Sequence, residues 1–268
     1  MEQLFQHLHY SGTLSPSRGS NVNIERGYKM KRTVNFYPVF ALLFVCALYA
    51  NSHAQQKNTE VPVDCPLKKQ GVNAHDMKPF EDVKKYIDFL ERKDRDEWQK
   101  PGKVISAINL KGNEVLADIG AGSGYFTFRL LTMLPRGKVI AIDAEPGMVR
   151  HIHHKVKTAG IRNIEVLLAS YDDPHAPKAA DIVFVCDVLH HVKKRDEWVS
   201  KLYKEMKPSS KLVLIEFKEG SIPEGPPASL KISSKEMLSL LTNAGFTLIK
   251  HDMQLLPYQN YFEFLRNE

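Results

Sequence analysis

Cysteine is scarce: three residues in a chain of 268, Cys46, Cys65 and Cys186. That is too few for a disulfide scaffold. Neither the cysteines nor the histidines fall at the spacing of a structural zinc site. The tightest cluster, His151, His153 and His154, cannot turn all three rings to one face of a helix, so no metal is expected. A dense Lys/Arg stripe is also missing. The net charge of +6, from 37 basic and 31 acidic residues, is mild, and residues 1–54 carry half of it. Nucleic acid is therefore not an expected partner. No internal repeat is visible, and the longest apolar run is short for a membrane span. What remains is ordinary globular composition, 43% hydrophobic and 25% charged, at a length that supports one domain with a full core.

The N-terminal region reads as a leader. Residues 1–29 are polar, without periodicity, and are expected to be a non-native or disordered extension. Met30-Lys31-Arg32 then opens a positive segment, followed by the apolar run Phe36 to Ala50 and the small residues Ser52 and Ala54. These are the parts of a secretory signal peptide over residues 30–54, with cleavage expected between Ala54 and Gln55. Translation starting at Met30 explains the displaced position. Val45, before Cys46, is not the small residue of a lipoprotein signal. The mature chain is expected in the periplasm, without stable membrane insertion once cleaved and anchored if uncleaved. Export permits a disulfide, but Cys186 falls in a predicted buried strand, so Cys65 and Cys186 read as two free thiols. Residues 55–78 form a polar linker, and 79–268 the folded domain.

The chain is organised around Val115 to Leu130, VLADIGAGSGYFTFRL. An apolar run ends on Asp118. Gly120, Gly122 and Gly124 follow at alternate positions, then residues with helical apolar spacing. This predicts a strand, a glycine turn and a helix, the opening of an α/β nucleotide-binding unit. Glycine lets the chain turn sharply and a ligand approach the backbone, and the helix start offers free N–H groups. A dinucleotide fingerprint requires a third glycine where this chain has Tyr125. The pattern D-x-G-x-G-x-G instead resembles motif I of class I methyltransferases that use S-adenosylmethionine (SAM), where the acid faces the methionine end and the glycines lie beneath it. Ala121 and Ser123 lie within that turn. A glycine turn that only packs helix on sheet is the competing reading.

Lys138 to Asp143 predicts a second strand ending on an acid 19 residues beyond Gly124. That matches the carboxylate that holds ribose hydroxyls in such units. Ala144 adjoins it, and Met148 opens the next helix, where it packs either on adenine or in the core. Ile164 to Ala169 is a third strand. Ser170 and Asp172 in the turn after it are candidates for the adenine edge, against an ordinary solvated turn. Asp181 to Cys186 is a fourth strand. Asp187 follows at its C-terminal end, where ligands sit in open α/β sheets, and His190 or His191 supplies a possible general base near neutral pH. Upstream, a helix is expected over Pro79 to Asp96 and a short one over Val104 to Asn109, with Trp98 either a lid residue or a core anchor. Downstream, a helix over Asp196 to Met206, a strand over Lys211 to Phe217, a capped helix from Ser233 to Ala244 and two strands, Phe246 to Leu255 and Tyr258 to Arg266, complete the chain.

Residues 79 to 268 resemble a bacterial, often exported, family of class I SAM-dependent methyltransferases. The resemblance lies in DEWQKP (Asp96 to Pro101), ADIGAGSGYF (Ala117 to Phe126), AIDAEPGMV (Ala141 to Val149), the Leu189-His190-His191 run and LPYQNYF (Leu256 to Phe262). Leu189 departs from the family, whose members often carry Tyr there. The resemblance implies a single Rossmann-like, doubly wound α/β sheet of seven strands with the last antiparallel. It implies SAM as cofactor and direct displacement of the methyl group but identifies no acceptor; a small molecule is the expectation. The Asn/Asp-Pro-Pro-Tyr/Phe motif of base and amide methyltransferases is absent after the fourth strand. Two other classes compete: an exported, non-catalytic SAM- or nucleoside-binding protein, and a NAD-dependent oxidoreductase.

Overall fold

In the computed structural model, residue 67, residues 70–72, residue 78 and residues 80–268 are described. The extension, the signal segment, Cys46, Cys65, Pro79 and most of the linker lie outside the described residues. The elements are helices α1 (Phe80–Leu90), α2 (Arg95–Gln99) and α3 (Pro101–Ile108), strand β1 (Val115–Ile119), α4 (Thr127–Leu131), β2 (Lys138–Asp143) and α5 (Pro146–Thr158). Strands β3 (Ile164–Leu168) and β4 (Ile182–Cys186) follow, then α6 (Arg195–Glu205), β5 (Lys211–Phe217), α7 (Ser234–Asn243), β6 (Phe246–Asp252) and β7 (Gln259–Arg266). Short 3-10 turns occupy Leu189–His191 and Ala228–Leu230.

The seven strands form one sheet in the order β3-β2-β1-β4-β5-β7-β6. Strands β1 to β5 are parallel, and β7 runs antiparallel between β5 and β6. The apolar runs of the central strands fit a sheet buried on both faces. Leu116, Val139, Phe184 and Val213 point to one face and pack with Val104, Ile108, Leu130, Val149 and Ile152. Ala117, Ile140, Val183 and Leu212 point to the other and pack with Trp198, Leu202, Met237 and Leu241. The order reverses between β1 and β4, and the crevice at the C-terminal ends of those strands is where such sheets bind ligands. On the β3 edge, the side-chain amide of Gln70 pairs with both the N–H and the C=O of Leu168, at 3.3 and 3.2 Å, standing in for an eighth strand.

Several boundaries differ from the sequence expectation, each for a local reason. The expected helix through Asp96 stops at Leu90. Its end is capped by Arg95, whose guanidinium donates to the Leu90 carbonyl at 2.8 Å, and α2 starts afresh at Arg95. Lys100 adopts a left-handed φ of 45°, which separates α2 from α3 and starts α3 at Pro101 rather than Val104. Helix α4 is only five residues long, because Gly120, Gly122 and Gly124 all take positive φ and residues 121–126 remain in turns. Ser233 caps α7 by accepting from the Glu236 N–H at 3.0 Å, while the Glu236 carboxylate turns to Arg195 at 3.6 Å instead of closing the box.

Candidate active site

The glycine turn is fixed from β2. The N–H groups of Gly120 and Ala121 donate to the Ile142 carbonyl at 2.8 and 3.0 Å. A Cβ on Gly120 would collide with Val188, and one on Gly124 would meet Phe128 at 2.6 Å. Asp143, at the end of β2, accepts from Gly122 N–H at 2.7 Å on one oxygen and from Glu145 N–H at 2.8 Å on the other. Each oxygen keeps a second lone-pair direction, which suits a cis-diol. Burial lifts the Asp143 carboxyl to about 6, against the pull of those two N–H bonds. Asp118 is buried at the end of β1 and accepts from the Thr127 hydroxyl at 2.6 Å. Burial lifts it to about 7, opposed by that hydroxyl, and the charge of Asp143 adds to the rise. The buried Ser123 hydroxyl has no hydrogen-bond partner among the described residues.

The segment from α1 through α2 forms a lid over this turn. Leu90 lies close enough to Gly122 that a Cβ there would be 3.2 Å from it, and Val83 fits where a Cβ on Gly147 would stand at 2.7 Å. Met148 is buried beneath α1 with Val83 and Ile87. Three ion pairs and a phenol hold the lid down: Glu91 with Lys155 of α5 at 2.8 Å, Arg92 with Glu224, Asp96 with Arg129 at 3.2 Å, and the Tyr125 hydroxyl donating to Asp96. Tyr86 is held largely away from water, and its hydroxyl pKa is raised first by that burial and then by the fields of Asp143 and Asp187. Trp98 ties the lid to the sheet end, its ring 5.8 Å from Phe217, with the indole N–H buried and without a hydrogen-bond partner among the described residues.

At the end of β4 the chemistry changes. Asp187 takes a left-handed φ of 60°. Its carboxylate accepts from the Gln259 amide at 2.6 Å and lies 3.5 Å from the Gln99 amide nitrogen. Gln99 and Gln259 are fully buried and joined at 2.9 Å. Burial, then the charge of Glu216, lifts Asp187 to about 6. His190 and Glu216 are buried together, with Nδ1 2.8 Å from Oε2, while the other Glu216 oxygen accepts from Leu189 N–H at 2.6 Å. Burial alone would hold His190 neutral and Glu216 protonated, but each outweighs that for the other, so His190 is raised and Glu216 lowered. His190 is thereby committed to Glu216. His191 is exposed, its ring 4.0 Å from that of His190.

The remaining expected residues spread around the same crevice. Ala144 is half-buried and Tyr125 buried. Ser170 and Asp172 are exposed in the turn after β3, where the Asp172 carbonyl accepts from Lys201 at 2.9 Å. The structure therefore gathers Asp118, Asp143, Asp187 and the glycines at one edge and leaves Ser170 and Asp172 at its rim. Sequence reasoning missed Tyr86, Arg95, Gln99, Glu216 and Gln259. Arg95, Gln99 and Gln259 adjoin or lie within the quoted DEWQKP and LPYQNYF runs, so the signal was present without a role attached. His151 Nε2 lies 3.5 Å from Glu91, and no group of three or more His, Cys, Asp or Glu among the described residues is arranged to hold a metal.

These groups fit SAM. The ligand carries a sulfonium and an ammonium, which suit the acids, a ribose diol, which suits Asp143, and one carboxylate. Residues 117–212 match the family model described as a methyltransferase domain. A tRNA U34 carboxymethyltransferase of Ruthia magnifica subsp. Calyptogena magnifica is 30% identical over 171 residues, 58% of this chain and 53% of that protein. A ubiquinone/menaquinone biosynthesis C-methyltransferase of Pasteurella multocida is 28% identical over 110 residues, 40% of this chain and 41% of that protein. The chain thus spans about half or less of the length of these curated relatives. The crystal structure of a SAM-dependent methyltransferase from Aquifex aeolicus superposes with a TM-score of 0.62 at 26% identity, covering 70% of this chain and 98% of that one. Glycine turn, strand-end acids and sheet order converge with these likenesses on the class I methyltransferase fold, within which residues 117–212 match a methyltransferase domain.

Proposed function

We propose that this protein transfers the methyl group of SAM to a small-molecule acceptor by direct displacement. SAM brings a methyl on a sulfonium, a leaving group that is already activated. The protein's task is then to align donor and acceptor and to exclude water. Asp143 and the glycine turn hold the nucleoside end, Asp118 and Asp187 face the cationic end, and the α1–α2 lid covers both. The acceptor approaches at the ends of β4 and β5, beside Trp98, Phe217 and His191. With His190 committed to Glu216, His191 is the other candidate base, but desolvation and then the charge of His190 lower it to about 4, so alignment of donor and acceptor rather than proton removal carries the transfer.

The observation that carries this reading is the gathering of the carboxylates of Asp118, Asp143 and Asp187 at the switch point beside the glycine turn. Calorimetric titration of the protein with SAM and with S-adenosylhomocysteine (SAH), with Asp143→Ala as control, tests it. Micromolar binding that the variant loses supports the cofactor site. Folded protein that takes neither ligand removes it. The tRNA-modifying relative makes RNA the competing acceptor. Incubation with methyl-labelled SAM and a cell extract separates the two, with label expected in the low-molecular-weight fraction and label in RNA overturning the small-molecule reading. Methyl transfer to neither fraction, with SAM bound, favours the non-catalytic binding protein.

We also propose that synthesis begins at Met30 and that the chain is exported and cut after Ala54, as the charged start, apolar run and small residues suggest. N-terminal sequencing of the protein recovered from a periplasmic fraction tests this. A first residue other than Gln55, or recovery only from the cytoplasm, overturns it.

A further inference from the structure

Two stretches of chain far apart in sequence meet over the ends of β4 and β5. One is the α1–α2 lid, which brings Arg92 and Trp98. The other is the loop from Gly220 to Ala228, GSIPEGPPA, which brings Glu224 and Gly225. Arg92 pairs with Glu224 across 132 residues, and both side chains are half-buried. The Arg92 guanidinium lies over the rings of Phe89 at 4.5 Å and Trp98 at 5.6 Å, with Asp94 3.2 Å from its Nε. Gly225 rests so closely on the Phe217 ring that a Cβ there would stand 2.5 Å from it. Phe217 in turn lies 5.8 Å from Trp98. These contacts close a ring: Arg92 to Glu224, Gly225 to Phe217, Phe217 to Trp98, and Trp98 back to Arg92.

The loop is built as an arm. Its base is fixed, because Lys231 Nζ donates to the Gly220 carbonyl at 2.7 Å and Lys218 Nζ to the Leu256 and Pro257 carbonyls at 2.8 and 3.0 Å. Pro223, Pro226 and Pro227 stiffen its length. Its tip is fastened to the lid by an ion pair partly open to water, a contact that is weak and sensitive to salt. A fixed base, a stiff span and a weak fastening are the parts of a gate rather than of a packed core. Behind it, the indole N–H of Trp98 is buried without a hydrogen-bond partner among the described residues. An unpaired buried donor costs free energy that a guest with an accepting oxygen recovers.

We propose that the Gly220–Ala228 loop and the α1–α2 lid are the two jaws of a gate for the methyl acceptor, latched by Arg92 and Glu224. The gate admits a small molecule whose hydrogen-bond-accepting group meets the Trp98 indole N–H. The proposal rests on the placement of the acceptor beside Trp98 and Phe217 given above. It separates the two ends of the crevice. The glycine turn and Asp143 lie under Leu90 at the β1–β2 end, and the latch lies at the β4–β5 end. The other fasteners of the lid, Glu91 with Lys155 of α5 and Asp96 with Arg129 of α4, do not involve the loop. They keep the lid seated on the β1–β2 end when Glu224 lets go.

The test follows the access of acrylamide, a small neutral molecule with an accepting carbonyl, to Trp98. The chain holds two tryptophans, and Trp198 is buried in the core. Acrylamide quenching of the full chain, less that of Trp98→Phe, therefore reports Trp98. Glu224→Gln is expected to raise the quenching slope about two- to fivefold, the range for an ion pair partly open to water. Raising sodium chloride from about 0.05 to 1 M is expected to do the same with the latch residues unaltered, and to add little in Glu224→Gln. The exchange Arg92→Glu with Glu224→Arg is expected to restore the low slope, which a merely structural role for either residue would not do. SAH affinity, by calorimetry, is expected to stay within about twofold in Glu224→Gln. A slope that neither Glu224→Gln nor salt moves, no rescue by the exchange, or SAH weakened in step with the slope overturns the gate. An unaltered protein that binds no SAH but shows the expected slopes removes the cofactor reading and leaves the latch standing.

Discussion

The two halves of the crevice are built on different principles. On the β1–β2 side the groups are acids within one short stretch of chain, Asp118 bonded to Thr127 and Asp143 bonded to the Gly122 and Glu145 N–H groups with lone pairs to spare, closed from above by a separate lid. On the β4–β5–β7 side they are long-range side-chain pairs already satisfied by one another: His190 with Glu216, and Gln99 with Gln259 and Asp187. One half keeps acceptor capacity on its acids, and the other is paired within itself except where Asp187 reaches the crevice. The contrast indicates where an alteration will affect binding and where it will affect folding.

The largest expected effect is on folding. Glu216→Ala leaves a buried imidazole and the Leu189 N–H without partners, and is expected to lower stability by about 3–5 kcal/mol in denaturant melts. A loss under 1 kcal/mol would erase the contrast, because the second half would then not be self-supporting. Asp143→Ala comes next and acts on the other half. It is expected to weaken SAH at least about 100-fold, near 2.7 kcal/mol, with a smaller loss of stability from the two freed N–H groups. A variant that unfolds but binds normally where folded would reverse the assignment of the halves.

An effect of pH follows in size. Asp118, Asp143 and Asp187 are raised to about 7, 6 and 6, so between pH 8 and 5.5 the ligand-free protein takes up protons that the unfolded chain does not. These carboxyls therefore stabilise the free protein as pH falls through that window, and their contribution is lost as pH rises through it. A cationic ligand requires the ionised forms, so SAM affinity is expected to drop by about tenfold or more over the same interval. Thermal melts with and without SAM check both signs at once: the ligand-induced shift shrinks towards pH 5.5. The smallest effect is that of His191→Ala, which is expected to leave stability within about 0.5 kcal/mol and SAH affinity unchanged. With an acceptor in hand, the same variant reports on proton transfer.

The same division explains what could be read from the sequence. The β1–β2 half was legible because its determinants are local: the glycines and acids lie at fixed offsets, and the continuous apolar runs mark the strands of the sheet that presents them. Lys138–Asp143 and Lys211–Phe217 were found to the residue. The acceptor half was not legible, because Glu216 lies 26 residues from His190, and Gln259 is 160 residues from Gln99. No periodicity marks such partners, and the two histidines look alike in sequence although one is buried against a carboxylate and the other exposed. The division of the first helix was missed for a similar reason, since the break is made by Arg95 turning back to Leu90 and by one left-handed lysine.

The antiparallel β7 gives the ribosome a constraint. Because β7 lies between β5 and β6, β6 has no strand to join until β7 has emerged. Losing Gln259–Arg266 would remove not one strand but two, and with Gln259 would go the amide that holds Asp187. The glycine turn, Asp118 and Asp143 are all synthesised more than a hundred residues earlier. The nascent chain thus carries the glycine turn and its acids well before it carries the amide that holds Asp187.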